Sequence, residues 1–228
     1  MIDMENILVI APHNDDEILG CGGVMSKYIK QGKNVYVIVV TNGHLGAPEL
    51  FSKEGTEKVR SEALKAHTFL GVKKTIFLDF PAVNLDALPA YKLSLAISKV
   101  ISEFQIDTLY IPHRGDIHKD HRITYEAALV AGRPINNSTV KRIYAYETLS
   151  ETEWAAPFGD DVFIPTVFIN IENEIDDKLK AFAFFSTQIK KFPHSRSPEI
   201  IRTLSNYRGA TVGCANAEAF MLIRSIED

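Results

Sequence analysis

Two polar clusters contain side chains that could bind a metal ion, and each follows a short apolar run. The first is HNDDE at 13–17, after ILVI at 7–10, and the second is HRGDIHKDH at 113–121, after LYIP at 109–112. Imidazole nitrogens and carboxylate oxygens are donors of catalytic zinc sites, in which water takes an open fourth position. The residue types therefore favour a metal site to which both clusters contribute ligands.

The adjacent carboxylates of the first cluster suit a division of roles. If one of them binds the ion, a neighbour that is not a ligand can accept a proton from the acidified water. A simpler interpretation is that Asp15, Asp16 and Glu17 only complement the N-terminal dipole of a helix. The second cluster favours metal binding, because three histidines within nine residues, interleaved with two aspartates, are hard to explain as a solvated loop.

Apolar runs alternate along the chain with segments of helical periodicity. This alternation predicts the α/β class, with a Rossmann-like, mostly parallel sheet and helices on both faces. The predicted strands are 6–11, 34–41, 75–80, 108–112, 141–146 and 165–171. The predicted helices are 16–31, 54–70, 91–104, 120–132, 174–185 and 198–207, and 217–226 is ambiguous between a last helix and an edge strand. Ligands of such sheets bind beyond the carboxyl ends of the strands, where the two clusters are expected to converge.

Composition and charge are those of an ordinary globular chain, expected to form one domain over residues 1–228. The formal net charge of −4 gives no reason to expect binding to nucleic acid. No apolar stretch approaches the roughly 20 residues of a membrane span, and MIDMENILVI at 1–10 lacks the basic start of a secretory signal. Because Cys21 and Cys214 suit a reducing compartment, we expect both to be unpaired and the location to be cytoplasmic.

The glycine-rich stretch GCGG at 20–23 lies just after the first polar cluster. Its spacing does not match the dinucleotide-binding fingerprint, and it falls inside the first predicted helix. We therefore expect these glycines to let the helix pack closely on the sheet rather than to bind a nucleotide.

The two clusters resemble the motifs of a known family, the PIG-L/LmbE-like zinc de-N-acetylases. APHNDDEILGCGG at 11–23 resembles the opening motif, and HKDHR at 118–122 resembles the second. GTEKVRSEALKAHTFLGV at 55–72 is similar to an arginine-containing helix of that family, and YRGATVGCANAEAF at 207–220 to a C-terminal signature. The resemblance implies a zinc enzyme that hydrolyses the N-acetyl group of an amino sugar or sugar conjugate. Because sites made of histidine and aspartate discriminate poorly between divalent ions, Fe²⁺ or another divalent ion is the alternative to zinc.

The resemblance also implies a role for particular side chains. The implied metal ligands are His13, Asp16 and His121. Asp15 would be the general base that deprotonates water and returns the proton to the leaving amine. His118 would stabilise the oxyanion of the tetrahedral intermediate.

Two further residues receive implied roles in positioning. Asp120 would orient His118, as carboxylates commonly do for imidazoles. Arg60 would hold substrate hydroxyls or a carboxylate, and its alternative is an exposed charge on a helix. The sequence does not indicate the roles of four other side chains near predicted strand ends, which are His44, His113, Glu147 and Trp154.

Substrate identity is left open by these motifs. The segments 45–58 and 150–165 are the expected specificity walls of a small-molecule pocket. One alternative is a metallohydrolase of another N-acyl amide, such as an acylated amino acid or a thiol conjugate. Another is a zinc-binding module without catalysis. The sequence also leaves a homo-oligomer open.

Overall fold

The structure, a computed structural model, describes residues 4–135 and 138–227. One sheet of seven strands forms its centre. The strands are β1 (Asn6–Ala11), β2 (Asn34–Asn42), β3 (Lys74–Pro81), β4 (Thr108–Pro112), β5 (Arg142–Tyr146), β6 (Val167–Asn170) and β7 (Ala217–Ser225). The helices are α1 (Asp16–Lys30), α2 (Gly43–Gly46), α3 (Lys53–Leu70), α4 (Ala90–Glu103), α5 (Lys119–Ala131), α6 (Ile175–Ala183) and α7 (Pro198–Ala210). The predicted domain, 1–228, includes positions outside the described residues.

The strand order is β3-β2-β1-β4-β5-β7-β6. Strands β1 to β5 pair in parallel, and β7 pairs antiparallel with both β5 and β6. The α/β prediction is thus confirmed, and the six predicted strands are present within a few residues of their expected ends. The chain winds outward from β1 through β2 to β3 and then returns to β4, so the order reverses between β1 and β4. Such a switch point opens a crevice at the carboxyl ends of the strands.

The segment 217–226, for which the sequence leaves a last helix or an edge strand open, is a strand and not a helix, but it does not lie at the edge of the sheet. It forms β7, which lies inside the sheet between β5 and β6, whereas β6 takes the edge. Its first four residues are all buried. Its neighbours in the sheet, β5 and β6, come from remote parts of the chain, which local periodicity does not reveal.

The core consists of two apolar layers, one on each face of the sheet. Alternate residues of β1 contribute to opposite layers, with Ile7 and Val9 in one and Leu8 and Ile10 in the other. A parallel strand with both faces covered has a continuous apolar sequence, and for this reason the sequence predicts β1.

Helix α1 packs closely on the sheet through its glycines. A Cβ atom on Gly20 would lie 2.3 Å from the Tyr146 ring, and one on Gly23 would lie 2.5 Å from Ile171. These contacts confirm the packing role expected for the glycine-rich stretch. None of the described helices combines the length and the apolar character that crossing a bilayer requires.

Candidate metal centre

The two polar clusters meet at the switch point of the sheet. The first occupies the turn between β1 and α1, and the second occupies the loop between β4 and the start of α5. Because β1 and β4 are hydrogen-bonded neighbours, both turns open at the same end of the sheet. Side chains that lie more than a hundred residues apart in sequence are thereby brought into contact.

Three donor atoms form a nearly equilateral triangle. His13 Nδ1 lies 3.3 Å from Asp16 Oδ2, and His121 Nε2 lies 3.2 Å from the same oxygen. The two ring nitrogens, His121 Nε2 and His13 Nδ1, are 3.3 Å apart. Tetrahedral ligands at zinc distances of about 2.0–2.1 Å are themselves separated by roughly 3.3–3.4 Å. The spacing and chemistry of the donors therefore fit a small divalent cation such as zinc.

Both histidines are held by a carboxylate on the ring nitrogen that points away from the triangle. His121 Nδ1 donates to Asp116 Oδ2 at 2.8 Å, and His13 Nε2 donates to Asp120 Oδ2 at 3.3 Å. In the neutral ring, each contact places the proton on the outer nitrogen and leaves the inner nitrogen free to bind a metal. Asp116 was part of the predicted cluster, but the sequence did not assign it this role.

The electrostatics of the triangle favour positive charge. Burial alone would lower the pKa of His13, but hydrogen bonds with Asp120 and Asp16 raise it to about 9. Burial would likewise raise the pKa of Asp16, yet the charge of His121 and its hydrogen bond hold it well below the usual range. A divalent cation would supply the same positive charge in this position.

Asp15 lies beside the triangle and is not one of its donors. Its backbone has φ 107° and ψ −26°, and its side chain is buried. Arg196 Nη1 donates to Asp15 Oδ2 at 3.2 Å. Burial raises the pKa of the Asp15 carboxyl to about 8, against the lowering effect of the Arg196 charge.

His118 and Asp120 begin helix α5. His118 is the N-cap residue, and its Nδ1 accepts the backbone N–H of Asp120 at 3.1 Å. Burial lowers the pKa of His118 to about 4, so the ring is neutral near pH 7 and carries its proton on Nε2. The carboxylate of Asp120 lies 3.3 Å from His13 but 4.0 Å from His118 Nδ1. Asp120 thus contacts His118 through its backbone, and its side chain lies nearer to His13.

A cavity of about 460 Å³ opens beside these residues, and His13, Asp15 and His118 line it. Its remaining lining residues are Asn14, Thr41, Gly43, Leu50, Phe51, Ser52, Gly55, Thr56, Val59, Ala82, Val83, Glu151, Thr187, Gln188 and Arg196. The expected wall 45–58 supplies five of them, whereas the expected wall 150–165 supplies Glu151. Thr187, Gln188 and Arg196, from the segment between α6 and α7, add polar lining that the sequence did not indicate.

Arg60 is not among the residues that line this cavity. Its guanidinium pairs with Asp79 and lies 4.3 Å from the centre of the Phe77 ring. Arg196 lines the cavity instead, and its Nη1 also donates to Gln188 Oε1 at 2.9 Å. No local motif marked Arg196, because the loop before α7 reaches the site only in the folded protein.

The two histidines without an assigned role contact backbone carbonyls. His44 Nδ1 donates to the carbonyl of Phe51 at 3.1 Å, and His113 Nε2 donates to that of Asp161 at 2.8 Å. Neither ring lines the cavity. Both contacts hold loops near the site together.

The two unassigned side chains after β5 also lie outside the cavity lining. Glu147 accepts two hydrogen bonds from Arg208, at 2.8 and 2.6 Å. Trp154 is 54% exposed, and its ring lies beside that of His194. Glu147 therefore joins β5 to α7, and Trp154 remains on the surface.

Comparisons with known proteins agree with this arrangement. The profile of the PIG-L family, described as GlcNAc-PI de-N-acetylase, matches residues 8–131, which include both clusters. The uncharacterized deacetylase YaiS of Escherichia coli K12 is 28% identical over 174 residues, which cover 75% of this chain and 84% of that protein. The diacetylchitobiose deacetylase of Thermococcus kodakarensis is 26% identical, over 98% of this chain and 85% of that protein.

A solved structure shows the same fold. The N,N'-diacetylchitobiose deacetylase of Pyrococcus horikoshii superposes with a TM-score of 0.77, covering 97% of this chain and 85% of that chain at 22% identity. At this identity the likeness establishes the fold, while the family match covers more than half of the sequence and both clusters. The chain belongs to the PIG-L family of de-N-acetylases.

Proposed function

We propose that the protein is a zinc-dependent hydrolase that removes the acetyl group from an N-acetylated amino sugar or sugar conjugate. Family membership supports the de-N-acetylation, and the relatives that carry the name diacetylchitobiose deacetylase support a sugar substrate. The single observation that carries the proposal is the triangle of His13, Asp16 and His121 beside a buried carboxylate that is not a ligand.

The reaction adds water across an amide, so the carbonyl must be polarised, water activated and the leaving nitrogen protonated. Bound zinc would polarise the carbonyl and acidify the attacking water. In its ionised form, which the positive charge of a bound cation would favour, Asp15 accepts the water proton and returns it to the amine nitrogen as the C–N bond breaks, giving acetate and an amine. Arg196 donates to Oδ2 of Asp15, and this ion pair leaves Oδ1 of Asp15 available to take the proton.

His118 provides a donor for the oxyanion that develops on the carbonyl. Its Nδ1 is occupied by the backbone N–H of Asp120, so the neutral ring presents Nε2–H for donation. The ring lines the cavity and lies 4.5 Å, centre to centre, from the ring of His13. A preorganised donor of this kind stabilises the transition state more than the substrate.

The decisive variant is Asp15→Asn, tested by acetate release from a panel of N-acetyl sugars. Loss of the general base should lower kcat by about 10²–10⁴-fold while zinc content stays unchanged, because Asp15 is not a donor of the triangle. Zinc content is measured by elemental analysis of the purified protein. Asp177→Asn is the matched control, since Asp177 pairs with Lys30 and Ser26 outside the cavity.

Three outcomes decide between the alternatives. Acetate release from sugars that is abolished in Asp15→Asn supports the proposal. Release from N-acyl amino acids or thiol conjugates, with none from sugars, replaces the substrate class. Zinc binding without hydrolysis of any amide in the panel overturns the enzymatic proposal in favour of a binding module.

A further inference from the structure

A buried hydrogen-bonded chain lies behind the candidate site and does not reach its cavity. Glu17 Oε1 accepts from His67 Nε2 at 2.9 Å, and both side chains are almost fully buried. His67 Nδ1 lies 2.8 Å from Thr75 Oγ1. With the ring proton donated to Glu17, Nδ1 accepts the hydroxyl of Thr75. These hydrogen bonds join the start of α1 to the last turn of α3 and to β3.

The other oxygen of Glu17 holds the backbone of Asp15. Glu17 Oε2 accepts the Asp15 N–H at 3.2 Å. Asp15 has a positive φ of 107°, a conformation that is strained for a residue other than glycine and persists where the surroundings enforce it. The carbonyl of Asp15 is fixed from the other side, by the N–H groups of Ile18 and Leu19 at 3.0 and 2.9 Å.

We propose that His67 is a positioning residue for Asp15 and acts through Glu17. Its ring donates to the carboxylate that bonds the Asp15 amide, so it sets the backbone from which the Asp15 side chain projects toward the cavity. The effect on turnover rests on the proposed function, whereas the effect on the Asp15 backbone does not. A merely structural histidine would alter stability and leave both the Asp15 amide and kcat unchanged.

The location of His67 separates this role from ligand or substrate binding. It is neither a donor of the metal triangle nor a residue of the cavity lining. Two successive hydrogen bonds, both made by the Glu17 carboxylate, connect His67 to the backbone of Asp15. Buried polar chains of this kind orient a group only while each member keeps its partner.

Two substitutions of His67 separate the two ring nitrogens. Glutamine can place an amide N–H near the position of Nε2 and keep the bond to Glu17, whereas asparagine reaches only the position of Nδ1. For His67→Asn we expect kcat to fall about tenfold or more, with KM and zinc content within about twofold of the unchanged protein. His67→Gln should restore kcat to within about threefold.

Tyr28→Phe is the matched control. It removes a buried hydrogen bond between Tyr28 and Tyr110, whose hydroxyl oxygens are 2.9 Å apart, without touching Asp15 or Glu17. Tyr28→Phe should lower the stability of the protein about as much as His67→Asn does, and it should leave kcat unchanged. Equal losses of kcat in the two variants would overturn the positioning role.

Hydrogen exchange at the Asp15 amide tests the inference without relying on turnover. By NMR, exchange at this amide should be about tenfold or more faster in His67→Asn than in the unchanged protein, and within about threefold in His67→Gln and Tyr28→Phe. If His67→Asn does not fold, Thr75→Val, which removes the support of Nδ1, should accelerate the same amide. Unchanged exchange in the folded variant overturns the inference. Absence of acetate release by the unchanged protein would overturn the proposed function, and amide exchange would still decide the role of His67.

Discussion

At the residue scale, the orientation of each ring decides which atoms can do chemistry. Asp116 and Asp120 accept the outer N–H groups of His121 and His13, which turns Nε2 of the first and Nδ1 of the second toward Asp16. The triangle therefore depends on two carboxylates that do not belong to it. Removing such a hydrogen-bond partner of a ligand commonly lowers the affinity for the metal by about 10–100-fold.

The two arginines give a test at this scale. Arg196→Met should lower kcat/KM about tenfold or more, because the guanidinium lines the cavity and its bond to Asp15 is charge-assisted. Arg60→Met should leave kcat/KM within about twofold, because Arg60 pairs with Asp79 outside the cavity lining. Steady-state kinetics on the same N-acetyl substrate measures both. A tenfold rise of KM in Arg60→Met would restore the substrate-binding role that the family resemblance implies.

At the element scale, the site depends on how closely α1 approaches the sheet. Its first residue, Asp16, is a donor of the triangle, and its glycines lie against the side chains of Tyr146 and Ile171. Any added volume there must displace the helix or the sheet residues beneath it. The same packing that seats the helix therefore positions the metal donors.

Gly20→Ala tests how closely α1 packs on the sheet. The new Cβ atom would meet the Tyr146 ring at 2.3 Å, so we expect a loss of about 1–3 kcal/mol in the free energy of unfolding. Urea denaturation measures the loss. Gly55→Ala is the control, because the nearest atom to its Cβ is Ser52 Oγ at 3.1 Å, and its stability should change by less than about 1 kcal/mol. If Gly20→Ala were as stable as the unchanged protein, the helix would have room to move away from the sheet.

At the scale of the whole molecule, a bound ion would join two remote segments of one sheet. His13 and Asp16 follow β1, and His121 follows β4, so unfolding would separate the three donors. A ligand that binds only the folded protein stabilises it in proportion to the logarithm of its concentration over Kd. Metal binding should therefore raise the free energy of unfolding of the whole protein.

Removing the metal provides the corresponding prediction. Zinc at about a hundredfold excess over Kd should add about 2.7 kcal/mol of stability, a rise in Tm of roughly 5–10 °C over the chelator-treated protein. Calorimetry with and without chelator measures this difference. His121→Ala should abolish it, whereas His44→Ala should retain it because His44 is outside the triangle. A zinc-dependent rise in Tm that survives His121→Ala would contradict the assigned ligands.

Much of this protein is determined locally by its sequence. The buried parallel strands read as apolar runs, the helices read as periodic segments, and the polar clusters at 13–17 and 113–121 fall where strands end. Gly71, at φ 93°, ends α3 where the sequence places it, because glycine tolerates this backbone conformation. These features depend on residues that are neighbours along the chain.

The tertiary structure decided which distant residues share the site. It brought Arg196 to Asp15, placed Arg60 beside Asp79, turned the Asp120 carboxylate toward His13, and set β7 between β5 and β6. Each of these contacts joins segments separated along the chain. Hydrophobic periodicity specifies which face of an element is buried, but not which element packs against it, so long-range pairings of polar groups follow from the assembled fold.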